Sequence, residues 1–155
     1  MAGAADRPAL KACSTLGQLL ICACGGGRGA ALRERAGVAQ LSRLAASALF
    51  LASGMLHFAK PELFAAIVPP ALPAPALLVA VSGGAEIAGA LGLWLPATRR
   101  SASLGLIALL FAVFPANVYM AVEHERFARI APAWLLYGRL PLQAVLMAWV
   151  WALRE

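Results

Sequence analysis

Residues 76–95 read ALLVAVSGGAEIAGALGLWL, twenty positions with a single charge, Glu86. At 1.5 Å rise per residue such a helix covers about 30 Å, the thickness of a bilayer's hydrocarbon. Residues 133–153, AWLLYGRLPLQAVLMAWVWAL, repeat the pattern around Arg139. Two further stretches, 39–58 and 101–122, have the same length and apolar character. Backbone in lipid must satisfy its own hydrogen bonds, so these four segments are expected as helices and not as strands. The predicted fold is all-α, a four-helix transmembrane bundle occupying residues 39–155.

Composition agrees with that reading. The chain of 155 residues is 62% hydrophobic and 13% charged, against roughly 45–50% and about 25% in soluble domains. Its mean hydropathy is +0.79. The formal net charge of +6 would suggest nucleic acid in a soluble protein. Here the basic residues flank apolar segments, and no basic stripe interleaved with aromatics exists, so nucleic acid is excluded as a partner. The implied partner is the lipid bilayer of a cell membrane.

Loop charges predict the orientation. Arg28, Arg33, Arg35, Arg43, Arg99, Arg100 and Arg154 lie at one end of the four segments; Lys60, Arg126 and Arg129 lie at the other. Seven basic residues against three predict that both termini are cytoplasmic. Trp134 and Tyr137 at one end of the fourth span, with Trp149 and Trp151 at the other, suggest aromatic belts. Between the first two spans, Pro61 suits a first helical position, and Leu63, Phe64, Ile67 and Val68 suggest one apolar face. Pro69 and Pro70 end it. A short interfacial helix is expected here, the alternative being a solvated loop.

Residues 1–38 differ in composition. Arg7 and Lys11 precede a short apolar run, then Gly25, Gly26 and Gly27, then Arg28, Arg33 and Arg35. A leader peptide ending at Cys24 has these features, but the apolar run is short and a span follows soon after. A disordered basic extension is the reading adopted. Cys13, Cys22 and Cys24 all precede the first span, so no dithiol is available within the bundle, and their spacing fits neither a thioredoxin-type pair nor a zinc site.

The ionisable residues inside the spans carry the functional signal. A charge at the bilayer centre costs roughly 2.5–3.5 kcal/mol even on lenient scales, so such residues face the bundle interior and find partners. Ser82, Glu86 and Gly89 share a helical face, with Gly83 and Ala90 beside them, where small residues let a neighbour approach. Arg139 is followed by Pro141, which frees the carbonyl of Tyr137, and by Gln143 one turn on. Pro115 likewise frees the carbonyl of Phe111 and precedes Asn117. His57 sits at similar depth near the end of the first span. The expectation is a polar pocket lined by His57, Glu86, Asn117, Arg139 and Gln143, with Glu86 and Arg139 as its ion pair. The same residues could instead satisfy one another and only fix helix packing. No metal-ligand spacing, phosphate loop or nucleophile elbow is present, and no metal is expected.

Several of these segments carry a family resemblance. Gly54-Met55-Leu56-His57-Phe58, Pro61, Val68-Pro69-Pro70, Ser82-Gly83 with Glu86, Arg99-Arg100, Phe114-Pro115-Ala116-Asn117 with Tyr119-Met120, and Arg139-Leu140-Pro141-Leu142-Gln143 occur in this order over about residues 43–153. The set resembles the DoxX-like integral membrane proteins, in their uncharacterised branch. The resemblance implies a compact four-helix protein of a bacterial cytoplasmic membrane. Some relatives are membrane subunits of a thiosulfate:quinone oxidoreductase or belong to oxidative-stress complexes; distant animal relatives are assembly chaperones for membrane receptors. It therefore implies a redox-accessory component linked to a quinone or a sulfur compound, at most a subunit of an oxidoreductase, with other redox subunits or a second copy as partners. The alternative is a membrane scaffold or assembly factor without enzymatic activity.

Overall fold

The computed structural model describes the backbone of residues 9–155 and the side chains of residues 32–155. The chain forms two compact units, Met1–Gln40 and Leu41–Glu155. The first contains the early part of α1 (Ala9–Ala59). Its three cysteines, and most of the basic extension expected over residues 1–38, lie outside the described side chains.

The second unit contains the rest of α1, then α2 (Pro61–Ala65), α3 (Pro75–Gly92), α4 (Arg99–Val122) and α5 (Ala133–Ala152). Among the described residues four segments are long and apolar enough to cross a membrane: Leu32–Ala59, α3, α4 and α5. Together they make the expected all-α four-helix transmembrane bundle. Their outer surfaces are apolar, with Leu41, Leu77, Val81, Phe111 and Val145 each at least 60% exposed. In water such surfaces would drive association; lipid is the solvent that suits them.

Proline sets two helix starts. Pro61 and Pro75 each occupy the first turn of a helix, where the missing N–H is of no consequence. Ala74, between Pro73 and Pro75, sits in the left-handed region at φ 51°. The short helix expected after the first span is α2. It turns Phe64 inward while Leu63 stays exposed, and Ile67 packs inward from the turn that follows, so the apolar face of the helix is narrower than the sequence suggested.

The four spans pack in a ring, α1 on α3, α3 on α4, α4 on α5 and α5 on α1. Lipid supplies no hydrophobic incentive for helices to meet, so each seam needs close packing or hydrogen bonds. At the α1–α3 seam a Cβ on Gly54 would lie 2.8 Å from the Gly83 carbonyl oxygen, and one on Gly83 would lie 2.7 Å from the Cβ of His57. Ser47 Oγ then donates to the Ala90 carbonyl at 3.0 Å. Between α3 and α4, Leu106 fills the space above Gly89, and Ala102 that above Gly92. Ser103 Oγ donates to the Val150 carbonyl across α4–α5 at 2.6 Å. Trp149 Nε1 donates to Ser42 Oγ across α5–α1 at 2.8 Å. Trp149 therefore belongs to a helix seam and not to the aromatic belt expected of it; Trp134, Tyr137 and Trp151 are exposed.

Two apolar clusters fill the interior. Ala46, Phe50, Ala90, Leu93, Leu106, Leu110, Val150 and Leu153 form the larger, towards the arginine-rich end. Met120, Phe127 and Leu136 form the smaller, backed by Ile67, Tyr119 and Ala131. Phe127 comes from the connection between α4 and α5, which is thereby anchored to the opposite end of the bundle.

The glycine seam is directly testable. Gly54→Ala forces α1 and α3 apart and is expected to lower stability by about 1–3 kcal/mol. Gly84→Ala meets no atom within 4 Å and should raise it by about 0.5–1 kcal/mol. Unfolding in mixed detergent micelles measures both. Equal responses would mean that the seam does not limit packing.

Candidate functional site

Between the two apolar clusters every span carries polar residues. On α1 they are Ser53 and His57, on α3 Ser82 and Glu86, on α4 Asn117, and on α5 Gln143 and Arg139. The ring order of the helices decides which of these meet.

Glu86 faces α1, because the Gly54–Gly83 contact draws those helices together one turn away. Its Oε2 lies 3.8 Å from His57 Nδ1, and the Ser53 side chain is beside the same carboxyl. His57 Nδ1 is 2.9 Å from the Ser53 carbonyl oxygen. That oxygen can only accept, so Nδ1 carries the proton, which fixes the tautomer of the neutral ring. His57 Nε2 is thereby left as an acceptor when the ring is neutral and a donor when it is charged. The Phe64 ring of α2 stacks on the imidazole, with centroids 3.8 Å apart at 25°. His57 is buried, and Glu86 Oε2 is buried with no hydrogen bond among the described residues. An acceptor left bare in this way is costly and calls for an explanation.

The second polar group is of the opposite kind. Asn117 Nδ2 donates to Gln143 Oε1 at 2.8 Å, and Gln143 Nε2 donates to the Leu110 carbonyl. Gln143 is 3% exposed and both halves of its amide are engaged. Pro115 loosens α4 where that donation occurs, since it removes a backbone donor and crowds the carbonyl one turn earlier. The bonded carbonyl is the neighbour of the Phe111 carbonyl that proline was expected to free.

Arg139 joins neither group. It is exposed, and Nη1 rests 3.6 Å from Met120 Sδ. The expected Glu86–Arg139 ion pair is absent because α3 and α5 stand across the ring from each other, while Glu86 turns to α1. The five expected pocket residues thus divide into His57 with Glu86, Asn117 with Gln143, and Arg139 apart. Sequence reasoning passed over Ser53 and Phe64. The spacing of Ser53 to His57, one helical turn, was the available signal for the first; the second was marked only as part of the apolar face expected after the first span.

Ser82 is satisfied within its own helix, its Oγ donating to the Val79 carbonyl. His124 is half-buried with its ring tilted against Tyr137. An open groove of about 580 Å³ runs along α3 and α4 beside Ala88, Gly92, Ala102 and Gly105, and a cleft of about 170 Å³ lies between α1 and α3 beside Leu44 and Trp94. Neither is lined by His57 or Glu86. Among the described residues no three His, Cys, Asp or Glu side chains converge in a metal-binding cluster.

Residues 46–154 match the family described as Domain of unknown function (DUF8561), and the chain belongs to that family. No curated protein and no solved structure matches it.

Double-mutant cycles separate the pairs described above. His57→Phe with Glu86→Gln is expected to show a coupling of about 0.5–1.5 kcal/mol. Asn117→Ala with Gln143→Ala should give a coupling of similar size. Glu86→Gln with Arg139→Met should be additive within about 0.5 kcal/mol. A coupling in that last cycle as large as in the first would restore the ion pair that the geometry removes.

Proposed function

We propose that this member of the DUF8561 family is a DoxX-like component of a bacterial cytoplasmic membrane, with its arginine-rich end facing the cytoplasm. In this reading His57 and Glu86 hold a small oxygen-bearing ligand, in the first instance a quinone head group, and the protein is an accessory of a redox system. The observation that carries it is Glu86 Oε2, a buried carboxylate oxygen with no hydrogen bond among the described residues, set 3.8 Å from a histidine of fixed tautomer. Buried acceptors are normally paired, and intramembrane ionisable groups mark ligand and proton sites more often than they mark packing.

The chemistry available is hydrogen bonding and proton exchange. His57 Nε2 can accept a hydrogen bond from a ligand hydroxyl, or donate one to a carbonyl when the ring is charged. Glu86 can take up or release the accompanying proton. Phe64 closes one face of the imidazole. A quinone fits this donor and acceptor set and would supply the electron-carrying group. Arg139, expected to line the same pocket, has no part in this reading.

A second reading is favoured by the amide pair. Asn117, Gln143 and the Leu110 carbonyl satisfy one another, as a packing device does, and the two cavities described lie away from His57. A scaffold or assembly factor needs no more than this.

The discriminating experiment uses the full chain purified in native lipid discs, with ultraviolet–visible spectra and chromatography of the extracted lipids. The ligand reading expects quinone in stoichiometric amount, lost in Glu86→Gln and in His57→Phe while helicity is retained, and kept in Arg139→Met. A folded, quinone-free protein would overturn that reading and favour the scaffold.

A further inference from the structure

The end of the bundle opposite His57 contains a second charged cluster that the proposed function does not use. Arg43 of α1, Arg99 at the start of α4 and Arg154 just beyond α5 converge there from three segments. Arg43 Nη2 and Arg99 Nη1 both donate to a main-chain carboxylate oxygen of Glu155, the last residue, at 3.1 and 3.5 Å. Arg99 Nε also donates to the Leu93 carbonyl at 3.2 Å. Arg154 stacks over the Trp151 ring at 3.6 Å, with Nη2 3.8 Å from the Glu155 carboxylate.

The charges do not balance. Among the described residues three guanidinium groups meet only the two carboxylates of Glu155, its side chain, which is 87% exposed, and its main-chain group. Arg43 Nε and Arg154 Nη1 are buried and without a hydrogen bond among the described residues. An arginine stays charged at any ordinary pH, so its excess is not relieved by losing a proton. The amino-terminal end of α4 adds to the imbalance. Helix dipoles place partial positive charge there, and Thr98 does not cap it, because its hydroxyl donates back to the Gly92 carbonyl at 3.0 Å.

We propose that Arg43, Arg99 and Arg154 form a binding site for the phosphate of an anionic glycerophospholipid. A phosphodiester offers oxygen acceptors that match the unused guanidinium N–H groups, and charge-assisted bonds of this kind are the strong ones. The site lies where spanning helices end, which is the depth of lipid phosphates. From Arg43 to Ala59 is 16 steps along α1, about 24 Å at 1.5 Å each, which brings the guanidinium near the edge of the hydrocarbon. Leu41, Leu44 and Trp151, all exposed beside the cluster, offer apolar surface for the lipid's acyl chains. Basic pockets between spanning helices recognise anionic head groups in this way. Free inorganic phosphate has the same chemistry but no use for that apolar surface, so the lipid is the occupant assigned.

The test uses the full chain in detergent, stripped of lipid and then offered phosphatidylglycerol or phosphatidylcholine, with native mass spectrometry counting the lipid retained. Phosphatidylglycerol should be retained about tenfold more strongly, and Arg43→Gln or Arg99→Gln should each reduce that retention about tenfold. Arg100→Gln, exposed and outside the cluster, should leave it unchanged. Equal retention of the two lipids by the unaltered chain overturns the proposal without reference to any variant. So does a loss in Arg100→Gln equal to that in Arg99→Gln. Displacement of the lipid by millimolar inorganic phosphate would reassign the site to free phosphate and overturn the lipid assignment.

Discussion

The approach of α1 to α3 at Gly54 and Gly83 is the constraint on which the rest of this bundle turns. Both positions lack a Cβ that would otherwise strike backbone or the base of a side chain within 3 Å. Because lipid tails are as apolar as leucine, nothing but packing and hydrogen bonding holds spanning helices together. Once these two backbones touch, Ser47 reaches the Ala90 carbonyl one way along the seam, and His57 meets Glu86 the other way. The remaining seams follow the same economy, with one hydroxyl or indole bond each, or a leucine over a glycine.

Polar residues in this membrane interior have two different fates. Asn117 and Gln143 use each other and one backbone carbonyl, and their amides end with donors and acceptors matched. Such a pair adds register to an α4–α5 seam that leucine and alanine alone would specify loosely. His57 and Glu86 are geometrically close yet incompletely bonded, Glu86 Oε2 having no hydrogen bond among the described residues. Satisfaction is what distinguishes packing from chemistry here. A completed network has no valence to offer a ligand, whereas an orphan acceptor beside an imidazole does.

The two ends of the molecule differ just as clearly. One is closed by aromatic and aliphatic groups, Phe127, Ile67 and Phe64, supplied by the connections between spans. The other concentrates guanidinium groups around the main-chain carboxylate of Glu155, with buried N–H groups left unbonded among the described residues. A protein in water would neutralise such a cluster with solvent. At the edge of hydrocarbon, lipid phosphate is the acceptor at hand.

How much of this was legible in the chain depends on which forces act locally. Four apolar runs of about twenty residues determined four helices by themselves, since backbone in hydrocarbon has to bond within its own segment. Pro61 marked α2, and the depth of His57, Glu86, Asn117 and Gln143 could be counted along their helices. Pairing could not be counted, because it depends on which helix stands next to which. Glu86 and Arg139 are the obvious opposite charges, and sequence alone joins them; the ring order sets α3 and α5 across from each other and gives Glu86 to His57 instead. Trp149 looked like an interfacial anchor until the rotation of α5 turned its indole to Ser42. Periodicity and hydropathy are properties of one segment and can be read from it, but neighbours and rotation arise from packing all four segments at once, and only the tertiary structure decided them.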